Sequence, residues 1–494
     1  MASLADKAGF LITANFIKYA VGFALPMVMV RVLTQGDYGT YQQLLLVNSM
    51  AIGLLTLGLP SSIYYFYNRI DEGQRPALIF QTLGMLALAG TLATVGIWWG
   101  APLIGTRLSN PFLTSHLPLY ALAIGLMLAG EHFVHFMVAQ DRYASAVWFE
   151  IIETFVRVTT LVLPVVLGYG LKGLVVAAVL YALLRYVVRG LWVLRGDGAR
   201  GELSRARVAW FPREQLAYSI PLWLTSIVGV FAGLLDRGIV ADSFSTIDFA
   251  IYSVGALSIP LDVIFQASVA DVLRASLPPL VKNGNMAEVT RILREAVRKL
   301  SLIMLPSFVF LLGFAHEFIT LLFTNQYAES VHVFRIYLFS LPLYIFVLSL
   351  VPQVFGRTRI NLNIVLIVTS LHVALSFGLL KTVGFYGPAL SAVISGYVGT
   401  FIYLWIASRL AGSSVWRLVP LHEIGKTLAC ALAAFAAAWL VGDLIPWKFL
   451  SLVVKAAMFT LVFFAAGILL KLFTEQDRSL VRRWAAKLHT AKAA

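Results

Sequence analysis

Long apolar runs, separated by short polar or basic segments, fill this chain almost from end to end. A helix needs about 20 mainly apolar residues to cross the hydrocarbon layer. Fourteen stretches meet that need: 9–33, 39–66, 77–98, 117–140, 143–167, 171–194, 215–236, 248–273, 297–321, 329–355, 360–380, 386–408, 423–442 and 449–471. The pattern predicts an all-α polytopic membrane protein with about fourteen transmembrane helices. The first run is too long for the apolar part of a leader and no small-residue cleavage site follows it, so it reads as an uncleaved span.

Composition narrows the class. Of 494 residues, 60% are apolar and 13% charged, against about 25% charged in an average soluble protein. Such a chain cannot cover itself with polar surface, and it is too apolar to be disordered. The net charge of +14 points to loops facing an anionic leaflet, not to nucleic acid. The single cysteine, Cys430, lies in an apolar run, which excludes a disulfide framework or thiolate metal site.

The basic residues also orient the chain. With the N-terminus cytoplasmic, the cytoplasmic segments and the helix ends beside them hold 27 of the 38 Lys and Arg, and the opposite loops hold six. That asymmetry follows the positive-inside rule and predicts both termini in the cytoplasm. The richest cytoplasmic segments are 195–213 and 274–299. In the second, Arg291, Arg294, Arg298 and Lys299 are spaced as on one helix face, which fits either a basic amphipathic helix at the inner leaflet or a solvated face.

An internal repeat divides the chain. Thr34-Gln35-Gly36-Asp37-Tyr38-Gly39-Thr40-Tyr41 and Ser245-Thr246-Ile247-Asp248-Phe249-Ala250-Ile251-Tyr252 share hydroxyl-x-x-Asp-aromatic-small-x-Tyr. Each follows the first helix of a set of six, so the two copies share an orientation, as in parallel repeats related by an axis along the membrane normal. The predicted organisation is one six-helix lobe over 1–205, a second over 206–411, and two further helices with a basic cytoplasmic tail over 412–494.

Two motifs mimic nucleotide sites without the context such sites need. Gly196-Asp197-Gly198-Ala199-Arg200-Gly201 matches a dinucleotide fingerprint but follows a membrane helix, where a strand is required. Gly425-Lys426-Thr427 resembles the end of a phosphate-binding loop, yet Pro420 stands where its first glycine belongs. No ATP-driven engine is visible. The extracytoplasmic loops are short, which argues against an integral-membrane glycan polymerase or ligase and for a protein that is not an enzyme.

Charges inside the spans are the candidate chemistry. Each costs about 2.5–3.5 kcal/mol at the bilayer centre and marks a pathway by default. Glu150, Glu153 and Arg157 share one stripe of the fifth span, as a Glu153–Arg157 pair or as a cavity lining with Arg157 offered to an anion. Glu131 and His135 share a face of the fourth span, with His132 adjacent. Carboxylates and imidazoles so placed carry H+ or Na+ in transporters; no third ligand for a transition metal stands nearby. Lys18 either snorkels to the inner interface or joins Arg157. Arg335 in the tenth span lies near the outer end. Asp262 follows Pro260 in the eighth span, where a loosened backbone can expose carbonyls to a cation. Arg31 and Arg237 stand at corresponding ends of the repeats, as helix C-caps or as anion ligands. The expected substrate-binding residues are thus Lys18, Arg31, Arg157, Arg237 and Arg335. The expected ion-coupling residues are Glu131, His135, Glu150, Glu153 and Asp262. No cofactor is expected beyond a coupling H+ or Na+.

The run from Arg31 through Leu33 and Asp37-Tyr38-Gly39 to Tyr41, with Gly58-Leu59-Pro60 ending the next helix, resembles the polysaccharide transporter family of the MOP superfamily, which includes the O-antigen and exopolysaccharide flippases. The segment from Asp236-Arg237 to Tyr252-Ser253 is similar to the same family. The resemblance implies two lobes in a V around a central cavity that opens alternately to each side. It implies an isoprenoid diphosphate-linked oligosaccharide as substrate, carried from the inner to the outer leaflet of a bacterial inner membrane, with membrane lipids, a glycan polymerase and a chain-length regulator as partners. The alternatives are a cation-coupled drug or metabolite exporter of the same superfamily, and the polymerase or ligase that the short loops disfavour.

Overall fold

The computed structural model describes residues 4–195, 212–440 and 445–475. The glycine-rich motif at 196–201, most of the basic segment 195–213 and the basic tail from 476 lie outside the described residues, as does the side chain of Asp262. Among the described residues every regular element is helical.

Packing divides the chain into two compact units. The first is Met1–Pro260 with Val365–Ala392. It holds α1 (Leu4–Val32), α2 (Gln35–Leu55), α3 (Leu59–Tyr67), α4 (Arg75–Arg107), α5 (Pro111–Ala129), α6 (Phe133–Ala139), α7 (Tyr143–Val166), α8 (Gly170–Arg195), α9 (Pro212–Ser243) and α10 (Thr246–Gly255). The second is Leu261–Ile364 with Val393–Ala494. It holds most of α11 (Pro260–Lys282), then α12 (Met286–Gly313), α13 (Ala315–Phe323), α14 (Ser330–Leu338) and α15 (Val351–Val354). Next, α16 (Thr358–Val383) and α17 (Gly387–Leu410) each contribute to both units, and α18 (Val415–Leu418), α19 (Leu421–Leu440) and α20 (Lys448–Leu469) complete the second.

By length and composition, eight helical stretches qualify as membrane spans, or ten if each of two bent pairs is one span. The sequence predicts fourteen. One qualifying stretch, Thr358–Leu410, runs over both α16 and α17. Helix α7 is absent from the qualifying set, and it carries Glu150, Glu153 and Arg157 in its central part. Several predicted spans are broken: the second between α2 and α3, the fourth at Gly130–His132, and the eighth between α10 and α11. The protein is a multi-pass membrane protein whose spans are interrupted more often than hydropathy alone suggests.

The repeated motif has a local cause. Thr34 is the N-cap of α2: its Oγ1 accepts from the Asp37 backbone N–H at 3.1 Å and donates to Asp37 Oδ2 at 2.8 Å. Ser245 caps α10 in the same way, and Asp248 Oδ2 also accepts from the Ser245 backbone N–H at 3.1 Å, closing a full capping box. The hydroxyl and the Asp therefore satisfy orphan N–H groups at two helix starts. The aromatic and Tyr positions of the motif are buried in both copies. The small position has a packing role in the first copy. A Cβ on Gly39 would stand 2.0 Å from the Thr246 carbonyl oxygen, so α2 meets the start of α10 at a distance only glycine allows.

Candidate functional site: a charged cavity in the first unit

A cavity of about 400 Å³ opens within the first unit. Its walls come from α1, the α5–α6 break, α7 and α8. Helix α1 supplies Lys18 and Tyr19, the break supplies Glu131, α7 supplies Glu150, Glu153, Thr154 and Arg157, and α8 supplies Tyr181, Arg185 and Arg189. Periodicity explains two of these walls. Glu150, Glu153 and Arg157 recur at three and four residues on α7, and Tyr181, Arg185 and Arg189 recur at four on α8, so each set forms one stripe.

The carboxylates are held by cations from neighbouring helices. Lys18 Nζ donates to Glu150 Oε1 at 3.1 Å. Arg185 donates through Nη2 to Glu131 Oε1 at 3.0 Å and through Nε to Glu153 Oε1. Arg189 Nη2 donates to Glu153 Oε2 at 2.6 Å, and the Tyr181 hydroxyl donates to Glu153 Oε1 at 3.0 Å. The fork of each guanidinium suits such shared, directional contacts.

The same two arginines finish helix α5. Arg185 Nη1 donates to the Met127 carbonyl at 2.9 Å, and Arg189 Nη1 to the Gly130 carbonyl at 2.5 Å. The end of α5 leaves carbonyls without intrahelical partners, and cations are favoured there. The break that exposes these carbonyls thus also places Glu131 beside Arg185. The network is graded in exposure, from Arg189 at 4% to Lys18 at 39%. The charges at the buried end offset part of their desolvation through these ion pairs, although the Nε of Arg189 is buried without a partner among the described residues.

Arg157 differs from the other three cations. No hydrogen bond to its guanidinium occurs among the described residues, and its Nε is buried without a partner. Its field reaches the hydroxyls of Tyr41, Tyr120 and Tyr181. Lys18, Arg157, Arg185 and Arg189 face Glu131, Glu150 and Glu153. Four cations against three carboxylates leave one positive charge, and it sits on the residue without a partner.

The predicted residues fare differently. Lys18, Glu131, Glu150, Glu153 and Arg157 all line one cavity. Of the two readings of the α7 stripe, the Glu153–Arg157 pair does not form: Glu153 turns to Arg185 and Arg189 of α8, because its stripe faces that helix. Glu131 does not close on His135 either. Its carboxylate takes Arg185, and the His135 ring lies 5.4 Å from the Tyr64 ring. Arg31 is exposed at the end of α1, where Nη1 donates to the Met27 carbonyl at 2.5 Å. Arg237 Nη2 donates to the Ala256 carbonyl at 2.8 Å, at the end of α10. Arg237 thus caps α10, and Arg31 folds back on the last turns of its own helix. Arg335 is exposed on α14 in the second unit. Sequence reasoning passed over Arg185, an interior charge given no role, and Arg189, counted with the basic helix end. Their spacing from Tyr181 is the signal that would have found them.

Against known proteins, the family described as "Polysaccharide biosynthesis protein" matches residues 28–332. The chain belongs to that family. No curated protein matches it in sequence. Among solved structures, the fold is similar to the lipid II flippase MurJ in an inward closed conformation, with a TM-score of 0.72 at 13% identity over 93% of this chain and 99% of that one. It is also similar to an inward-facing multidrug resistance MATE family transporter of the MOP superfamily, with a TM-score of 0.65 at 14% identity over 80% and 95%. A MOP superfamily transporter from Pyrococcus furiosus, described by a reversed polarity of its binding pocket, aligns with a TM-score of 0.58 at 15% identity over 82% and 96%. The chain therefore has the all-α fold of MOP superfamily transporters within a polysaccharide biosynthesis family.

Proposed function

We propose that this protein is a flippase that moves an isoprenoid diphosphate-linked oligosaccharide from the cytoplasmic to the periplasmic leaflet by alternating access. The observation that carries the reading is Arg157: a cation with no counterion among the described residues, lining a polar cavity inside a membrane protein of a polysaccharide biosynthesis family. A diphosphate supplies the missing negative charge, and charge-assisted bonds to a planar guanidinium are strong where water is scarce. The sugars travel in the wet cavity while the isoprenoid tail stays in lipid. The two lobes, 1–205 and 206–411, are the bodies that alternate, in an inner membrane with both termini cytoplasmic. Polymerase and chain-length regulator partners belong to the same proposal.

Driving force comes from H+ or Na+ acting on the carboxylates of this network. Glu150 and Glu131 are more exposed than Glu153, which makes them the better entry points. An exporter of cationic drugs is the weaker reading, because four cations against three carboxylates make the cavity lining net positive.

Arg157→Ala is expected to abolish surface glycan in cells that depend on this protein while membrane levels of the protein stay normal. Arg157→Lys is expected to keep part of the export, since it restores charge without the fork. Normal glycan display by Arg157→Ala cells removes Arg157 from the mechanism.

A further inference from the structure

The break between α5 and α6 gathers oxygen atoms around two guanidinium groups. The Met127 and Gly130 carbonyls, Glu131 Oε1 and both carboxylate oxygens of Glu153 all accept from Arg185 or Arg189. Arg185 uses each of its three nitrogens. Nε donates to Glu153 Oε1, Nη1 to the Met127 carbonyl at 2.9 Å and Nη2 to Glu131 Oε1 at 3.0 Å. The side chain that does this is 9% exposed.

Capping alone does not account for this arrangement. A helix end needs a donor for its last carbonyls and no carboxylate at all. Here two carboxylates, one from the break and one from α7, reach the same two guanidinium groups. Backbone carbonyls at a broken helix end together with carboxylates are the oxygen set with which transporters hold a coupling Na+. Glu131 also lines the cavity and is 29% exposed, so an ion in the cavity could reach that set. Yet Glu131 and Glu153 bring two negative charges, and Arg185 and Arg189 bring two positive ones. The cluster is neutral before any ion arrives, and a Na+ finds no net charge there to offset its lost hydration.

We propose that the α5–α6 break is an alkali-cation site whose occupant is built into the chain: Arg185, with Arg189 beside it, stands where a Na+ would sit. This deepens the ion coupling of the flippase reading above and rests on that reading for its meaning: of the two ions named there, Na+ is ruled out at Glu131 and Glu153. The test uses the detergent-purified, full-length protein, melted in sodium chloride and in choline chloride of equal ionic strength. Arg185→Met removes the tethered charge and leaves the oxygens, so Na+ is expected to raise its melting temperature by about 3 °C more than it raises that of the unaltered protein. Arg185→Lys restores the charge and is expected to respond to Na+ no more than the unaltered protein does. Adding Glu131→Gln to Arg185→Met is expected to cancel the gained response. If Arg185→Met does not fold, Arg189→Met carries the same comparison with the same expectation. A purely structural role for these arginines predicts an equal loss in both salts, and that result overturns the proposal. So does a Na+ response of the unaltered protein that Glu131→Gln removes. Neither result bears on glycan export, which Arg157→Ala tests separately, so failure here leaves the flippase reading standing.

Discussion

The charged faces of α7 and α12 use the same spacing to opposite ends. On α12, Arg291 pairs with Glu288 and Arg298 with Glu295, each three residues back on the same helix, and Lys299 reaches Glu295 at 3.7 Å. Arg294 leaves the helix, for Glu423 of α19 at 3.3 Å. On α7, Glu153 and Arg157 stand four apart, as suitable for a local pair as any on α12, yet Glu153 takes its cations from α8. The difference lies in what surrounds each face. The charges on α12 settle mostly with a neighbour on the same helix, the buried Arg298 included. The face of α7 meets α8, which brings two guanidinium groups against Glu153, and the closest cation in space is not the closest in sequence. A spacing rule finds charged faces, but the helix packed opposite chooses the partners.

The contrast can be broken or sharpened by substitution. Glu153→Gln removes the one carboxylate shared by Arg185 and Arg189 and leaves two buried guanidinium groups short of charge. A loss of about 3–5 kcal/mol is expected, seen as a large drop in the melting temperature of the detergent-purified protein. A melting temperature equal to that of the unaltered protein would mean that the α7–α8 network is not buried. Ser245→Ala tests a polar contact of intermediate weight, the capping box of α10. Its expected cost is about 1 kcal/mol, and Thr34→Ala at the matching cap of α2 should cost a similar amount. A cap that costs nothing in either copy would show that the repeated Asp serves some other purpose. Arg291→Ala, on the exposed face of α12, is expected to leave the melting temperature within error, because exposed pairs gain little over water. A marked drop there would erase the distinction between the two faces.

Much of the fold was legible because the bilayer imposes a simple demand. Every backbone polar group must find a partner within the segment, so apolar length predicts helix, and the predicted spans are mainly helical where they are described, with breaks inside several of them. The breaks were less legible. The interruption at Gly130–His132 is tolerated because Arg185 and Arg189 arrive from α8 to take the freed carbonyls, and nothing in residues 117–140 announces that support. Similarly, Arg31 and Arg237 were marked as either caps or anion ligands. Both reach carbonyls at the ends of helices, a choice that depends on side-chain direction rather than on position in the chain.

By itself, the sequence determined that the protein lives in a membrane, which charges lie inside the spans, and that a capped helix start recurs 211 residues apart. These are properties of composition and local spacing, where the medium and the nearest residues set the outcome. Tertiary structure alone decided that Glu153 belongs to α8, that Tyr64 keeps an open face while Tyr65 loses both, and that Arg157 has no counterion among the described residues. In a low-dielectric interior the energy of a charge depends on what lies within a few ångströms, and that neighbourhood is assembled from helices far apart in the chain.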